Sequence, residues 1–442
     1  MNKEFHKKQN FFSFSDIDSE RKDRIMKFTS TEATPAPHVP PGVLRLTGAA
    51  KEDIPMYRIQ TMNKISPVGL NRFPSELYEV GDAVQDPQGI LVRSAKLLDL
   101  EFNPGLLAIA RAGVGVNNIP LDRCAAAGIP VFSTPGANAN AVKELVICAM
   151  LMGSRDIPGA IRWVREQAAS GADVSTVVEK GKSAFIGPEL YKKTLGIIGL
   201  GAIGSIVANT AISLGMDVYG YDPFLSVDTA LRLDRHVHVV KDINDLYKRS
   251  NYITMHIHYT EKTAHMIDAS AIAAMKRGVR VINLARGEIV DDEAMLTALD
   301  TGMVAAYITD FPNNRLLTAP HVIAMPHLGA STPESEQNCA AMAVDTLRDY
   351  LESGNIRSSV NLPEMTMDRS GVQRLCVLHK NVPGMLANIT SLFGRDGVNV
   401  ENLSNKSRGD YAYTMVDLGS KVGDNVIEDV RRTANVIRVR SL

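Results

Sequence analysis

The run Leu195-Gly-Ile-Ile-Gly-Leu-Gly-Ala-Ile-Gly204 constrains this chain more than any other stretch. Apolar and small residues lead into Gly199, Gly201 and Gly204, the pattern of a buried parallel strand that turns tightly into a helix over 203–214. Gly199 permits the turn. Gly201 lets a pyrophosphate approach the backbone, and Gly204 allows close contact between helix and strand. The free N–H groups and positive dipole at the helix start suit phosphates. A second strand, Met216-Asp-Val-Tyr-Gly-Tyr-Asp222, follows and ends in an acid 23 residues after Gly199. That matches the ~20-residue spacing of the carboxylate that holds an adenosine ribose. Asp222 would repel a 2′-phosphate, and Pro223 and Phe224 follow it rather than an arginine, so the pattern predicts NAD over NADP.

The length of 442 residues predicts two to four domains. The chain is 45% hydrophobic and 22% charged, an ordinary globular mix, and its net charge of −1 gives no sign of a nucleic-acid or membrane-surface partner. No apolar run approaches a membrane span. The first residues lack the apolar core of a signal peptide, and Glu4, Asp16, Asp18 and Glu20 read against a mitochondrial presequence. Cys124, Cys148, Cys339 and Cys376 are scattered without a CxxC pair, which predicts reduced thiols, a cytoplasmic location and no metal site.

Taken in order, residues 1–54 read as a mobile extension rich in charge, Ser, Thr and Pro. Residues 55–150 alternate strands (56–63, 89–94, 106–113, 129–134) with helices (119–127, 140–154), a small α/β unit expected to form the first part of a substrate domain. Residues 151–318 contain the dinucleotide unit, with repeated β-α pairs predicting a doubly wound parallel sheet. A helix over 333–353 falls within 319–360, and residues 361–371 read as a linker. Residues 372–442 follow the order β-α-β-β-α-β of a ferredoxin-like domain, small enough that pairing with a second copy is expected.

Several polar residues fall at strand ends, where open α/β sheets bind ligands. Arg286 follows the strand 280–285, and its guanidinium suits a carboxylate by two parallel hydrogen bonds, with a surface ion pair to Asp291 or Asp292 as the alternative. His327 stands at another strand end beside Gly329, where an imidazole can exchange a proton with a substrate hydroxyl. Loops around Arg93-Ser94, Arg111 and Asn138 present further polar groups. A nicotinamide, a carboxylate anchor and a proton carrier together suit the oxidation of a 2-hydroxy acid.

In family order, the chain carries RSAK (93–96), RAGVGVNNI (111–119), LGIIGLGAIG, MHIHYTEKT (255–263), INLARG, MPHLGAST and VNLPEM (360–365). On these motifs residues 56–442 resemble the phosphoglycerate dehydrogenase branch of the D-2-hydroxyacid dehydrogenases, with a C-terminal ACT domain. The resemblance implies a split flavodoxin-like substrate domain around a central cofactor domain. It also implies oxidation of 3-phospho-D-glycerate at the entry to serine synthesis. It makes Arg286 the carboxylate arginine and His327 the proton carrier. It puts Gly199, Gly201, Ala202, Ile203, Gly204, Asp222, Leu284, Ala285, Asp310, His327, Leu328, Gly329 and Ala330 on the cofactor, and Arg93, Ser94 and Asn138 on the substrate. From charge alone, Lys96, Arg111 and Lys143 join the phosphate candidates. LHKNVPGML (378–386) resembles a serine-binding ACT domain, which implies effector contacts from His379, Asn381 and Asn399 and a homo-oligomer, a dimer or a tetramer.

One departure stands out. The family has a Glu that orients and charges the histidine, whereas DFPNNRLLTAPHV (310–322) has Asp310 as its only acid. Counted from Phe311, Asn314 falls at or near the Glu position. Two other readings stay open at this point: a dehydrogenase for glycerate or hydroxypyruvate, and a weakly catalytic sensor of NAD and serine.

Overall fold

The computed structural model describes residues 56–442, and the predicted extension over 1–54 lies outside them. The described chain forms three sheets. The first is wholly parallel and contains β1 (Tyr57–Met62), β2 (Tyr78–Gly81), β3 (Gly89–Val92), β4 (Ala108–Arg111) and β5 (Val131–Phe132). Its order, β2-β1-β3-β4-β5, is the flavodoxin-like arrangement. Strand β2 has no counterpart in the sequence reading, because YEVG lacks an apolar run and gains its place only by pairing with β1.

The second sheet holds β6 (Thr194–Ile198), β7 (Asp217–Tyr221), β8 (Val237–Val240), β9 (Tyr252–Met255), β10 (Val279–Asn283), β11 (Val304–Thr309) and β12 (Val322–Ala324). All pairs are parallel, in the order β12-β11-β10-β9-β6-β7-β8. The order reverses beside β6, which makes the end of β6 the switch point where such sheets bind dinucleotides. Because β12 belongs to this sheet, the expected boundary after residue 318 moves to about 325. The other boundary blurs too. Helix Ala139–Arg155, read as part of the substrate domain, buries Val142, Val146, Ala149 and Met150 against Ile197, Ile282 and Ile308 of the second sheet and Leu200 of the turn after β6.

The chain returns to the first sheet through helix Pro333–Ser353. Thr332 caps it by accepting a hydrogen bond from the Ser335 N–H, Pro333 opens it, and Gly354 closes it at a φ of 77°. Its face of Cys339, Ala340, Ala343, Val344, Leu347 and Leu351 packs with Ile59, Leu91 and Ala108. At ~1.5 Å per residue the helix is roughly 30 Å long.

Strands β13 (Gln373–Lys380), β14 (Val400–Arg408), β15 (Tyr411–Leu418) and β16 (Val436–Ser441) form an antiparallel sheet in the order β14-β15-β13-β16. With helices Met385–Arg395 and Asp424–Arg432, this is the expected β-α-β-β-α-β unit. One face covers its own helices. The other packs Cys376, Leu378, Tyr413 and Met415 against Tyr350, Ile356, Leu362 and Met365. Residues 361–371 are therefore a packed strap, with Met365 bridged to Ile356. Arg440 donates to the Tyr350 and Leu351 carbonyls and Arg374 to the Ser353 carbonyl, which satisfies the last turn of the long helix. Among the described residues no helix is long and apolar enough to cross a membrane.

Candidate active site

The glycines of the β6 turn have the roles their spacing suggests. Gly199 has a φ of 90°, and a Cβ there would lie 2.6 Å from the His256 carbonyl oxygen. A Cβ on Gly204 would lie 1.9 Å from the Gly199 oxygen, so the first helical turn is pressed onto the strand end. A Cβ on Gly201 would meet nothing within 4 Å; the space beside this backbone is open. Gly201 caps helix Ala202–Ser213 without a side-chain bond, so the first N–H groups remain available to an anion. Asp222 follows β7 and is half-buried. Its Oδ2 accepts from Leu200 N–H at 2.9 Å and its Oδ1 from Phe224 N–H at 2.8 Å, which fixes the carboxylate beside the glycine turn.

A cleft of about 430 Å³ opens between the first and second sheets. Its walls include Gly201, Ala202, Ile203, Leu284 and Ala285 on one side, and Arg93, Arg111, Gly113, Gly115 and Asn138 on the other. Arg286, His327, Gly329 and Ala330 line it as well. Gly199, Gly204 and Asp222 frame the turn without lining the cleft, and neither Ser94, Leu328 nor Asp310 lines it. Ser94 is exposed, its N–H bonded to Asn63 Oδ1, and Lys96 is exposed too. Lys143 lies 3.8 Å from Glu144.

Three guanidinium groups converge here. Arg286 follows β10 in extended conformation, donates to the Ala285 carbonyl at 2.6 Å and lies 5.9 Å from the centre of the Phe311 ring. Among the described residues it makes no ion pair, so the alternative pairing with Asp291 or Asp292 is absent. A Cβ at Gly115 would come within 3.1 Å of Arg286 Nη2, so glycine makes room for this side chain. Arg111 donates to the Arg93 carbonyl at 3.0 Å. Burial first, with help from the charges of Arg286 and Arg93, pulls its pKa down. Arg93 pairs with Glu336 at 2.7 Å. The Asn138 Oδ1 and Thr134 Oγ1 atoms are buried without a hydrogen-bond partner among the described residues, and Asn138 lines the cleft.

His327 is half-exposed at the cleft wall. Its Nδ1 lies 2.9 Å from Asp310 Oδ2, and the Asp310 side chain is fully buried. The contact has ion-pair distance, although the N–H direction is off the line of an ideal hydrogen bond. The Phe311 ring lies 4.7 Å from the imidazole, tilted by 50°. Asn314, the position counted from Phe311, is exposed and bonds to nothing among the described side chains.

The sequence reading missed His256, Ser335, Glu336 and Cys339, all of which line the cleft. The long helix delivers Ser335, Glu336 and Cys339 from its first two turns, and only a threefold or fourfold spacing after the Thr332 cap hinted at a shared face. Protein packed around the His256 ring pulls its pKa to about 4, so it is neutral near pH 7.

At the C-terminal unit, Asn381 and Asn399 are exposed, with their amides on the Gly409 carbonyl and Glu401 Oε1. His379 differs from the expectation of an open ligand. It is 2% exposed, its Nδ1 donates to the Lys380 carbonyl, and its Nε2 pairs with Thr414 Oγ1, both at 2.8 Å.

Residues 147–329 match the family model of the D-isomer specific 2-hydroxyacid dehydrogenase, NAD binding domain. A D-3-phosphoglycerate dehydrogenase from Haemophilus influenzae is 31% identical over 379 residues, 82% of this chain and 88% of that protein. One from Synechocystis sp. is 36% identical over 326 residues, 72% of this chain but only 56% of the relative's length. The chain thus spans little more than half of some relatives. Among solved structures, an NAD+-bound 3-phosphoglycerate dehydrogenase from Entamoeba histolytica matches with a TM-score of 0.55 and 26% identity, over 69% of this chain and 99% of that one. A glyoxylate reductase with a TM-score of 0.57 and 23% identity shares the fold. The glycine turn, the cleft with its arginines and histidine, and these matches together make the chain a member of the D-isomer-specific 2-hydroxyacid dehydrogenase family.

Proposed function

We propose that this chain oxidises 3-phospho-D-glycerate to 3-phosphohydroxypyruvate with NAD, the first step of L-serine biosynthesis, in the cytoplasm. The observation that carries this reading is the convergence of Arg93, Arg111 and Arg286 on a cleft that also holds His327. A 2-hydroxy acid bearing a phosphate has two anionic ends, and three guanidinium groups suit both. Arg286 grips the carboxylate. Arg111 and Arg93 take the phosphate, with Arg93 exchanging Glu336 for it. His327 accepts the hydroxyl proton. The open face at Gly201, the free N–H groups of the helix start and the fixed Asp222 carboxylate fit NAD. Bound there, the nicotinamide supplies the hydride acceptor. Initial rates with 3-phosphoglycerate and with glycerate test the reading.

Arg286→Lys keeps the charge but loses the two-point planar grip. Its kcat/KM for the hydroxy acid falls roughly 10- to 100-fold, the worth of one hydrogen bond to a charged group, with a raised KM and a lowered kcat. Wild-type kinetics in that variant would remove Arg286 from the site. NAD is preferred to NADP by at least about tenfold, because a 2′-phosphate would face Asp222. Comparable kcat/KM values for the two cofactors would contradict this.

The C-terminal unit extends the proposal to regulation. L-serine binds at a homo-oligomeric pairing of these sheets through Asn381 and Asn399, while His379 braces the end of β13. Isothermal titration gives heat with serine, and Asn399→Ala weakens binding by about tenfold or more. Titration without heat, or binding untouched by that substitution, would refute it.

A further inference from the structure

We propose that Asp310 is the carboxylate that orients His327 and balances its charge, the task for which the loop after β11 offers no other acid. The inference rests on the dehydrogenase reading above. Asp310 comes directly after β11, so the strand fixes its backbone, and its side chain is fully buried. A buried carboxylate needs a partner. Neither Asp310 oxygen accepts an aligned hydrogen bond among the described residues, and the ionisable group at ion-pair distance from it is the His327 ring, with Nδ1 at 2.9 Å from Oδ2. Phe311, the next residue, holds the ring from the side at 4.7 Å.

The surroundings make this pairing consequential. The charged and titratable groups lining the cleft around His327 are Arg93, Arg111 and Arg286, Glu336, which is already paired with Arg93, and the rings of His258 and His256, the latter neutral there. A proton taken up by His327 therefore enters a cationic cleft. Asp310 is the one acid among the described residues at ion-pair distance from the ring. With its carboxylate on Nδ1, the proton of the neutral ring sits on Nδ1, and Nε2 is left with the lone pair that accepts the substrate proton. Asn314 is in no position to substitute. Asn313 donates to Asp292 and Arg315 pairs with Glu293, so both neighbours tie this loop to helix Asp292–Asp300. Asp310 is thus a positioning residue for His327.

Asp310→Asn tests it. The expected result is a kcat lower by about 10²-fold or more, an acidic limb of the kcat/KM profile moved by about one pH unit or more to lower pH, and a KM for NAD within about threefold of wild type. Asn314→Glu leaves the limb in place. Nitrogen NMR of His327 gives a readout independent of turnover: the wild-type neutral ring carries its proton on Nδ1, and Asp310→Asn weakens that preference. A rise confined to the KM for NAD, with the limb and the tautomer unchanged, would overturn the inference. If Asp310→Asn fails to fold, Asp310→Glu retains the Nδ1 proton, and a wild-type ring protonated on Nε2 overturns the pairing by itself. A chain that turns over no 2-hydroxy acid yet shows the Nδ1 proton would sink the dehydrogenase reading and leave the Asp310–His327 pair standing.

Discussion

His327→Ala lowers kcat/KM for hydroxy-acid oxidation by about 10²- to 10⁴-fold, the usual worth of a positioned general base. The hydroxyl proton must leave as the hydride departs from C2, and His327 is the half-exposed titratable group of the cleft with a carboxylate behind it. His256 cannot take over, because its surroundings keep it neutral down to about pH 4, too weak a base for the task. Binding survives, since Arg286, Arg111 and Arg93 remain, so the loss falls mainly on kcat. Steady-state kinetics over pH 6 to 9 check this, with binding of NAD measured separately. Full activity in His327→Ala would place the base elsewhere.

The second large effect is on stability. Asp417→Ala destabilises the docking of the C-terminal sheet by about 3–5 kcal/mol, because it leaves a buried guanidinium without its partner. Arg374 and Asp417 are 1% and 0% exposed and form a two-point pair, at 2.6 Å through Nε and 2.8 Å through Nη2. Arg374 also donates to the Ser353 and Met367 carbonyls, and Asp417 accepts from Ser370 N–H at 2.8 Å. The pair thus ties the antiparallel sheet to the end of the long helix and to the strap. Burial opposes the charge of Asp417, but the Arg374 guanidinium and the Ser370 N–H outweigh it and hold the carboxyl below its ordinary range. A carboxyl with a depressed folded pKa contributes stability above its unfolded value, about 3.9, and loses it as pH falls further through the folded value. The first urea transition should therefore weaken below about pH 4 in the wild type and lose that part of its pH dependence in Asp417→Ala. The double variant Arg374→Met with Asp417→Leu recovers much of the loss. An unchanged transition in Asp417→Ala would show that the sheet is held by its apolar face alone.

The glycine run, Asp222, Arg286 and His327 were legible because each follows an apolar strand, and strand ends in parallel sheets converge by topology. What stayed hidden depended on pairing across the chain. Arg374 and Asp417 are charged residues inside apolar strands, and only the register that sets them opposite each other on β13 and β15 explains their burial. Strand β2 exists through β1. The closeness of Asp310 to His327 was hidden because loop 327–330 returns beside it only in the fold; a Cβ on Gly329 would lie 3.8 Å from its Oδ2. His379 reads as a ligand until Thr414, 35 residues on, reaches its Nε2.

The proposed selectivity of the arginine-lined cleft is for a phosphorylated 2-hydroxy acid. Initial rates with NAD on 3-phosphoglycerate and on glycerate test it most directly. The kcat/KM for 3-phosphoglycerate is expected to be at least about 10²-fold above that for glycerate, since the phosphate adds hydrogen bonds from Arg93 and Arg111 worth roughly 1.5–3 kcal/mol each. Equal values for the two acids, or no turnover of 3-phosphoglycerate, would contradict it.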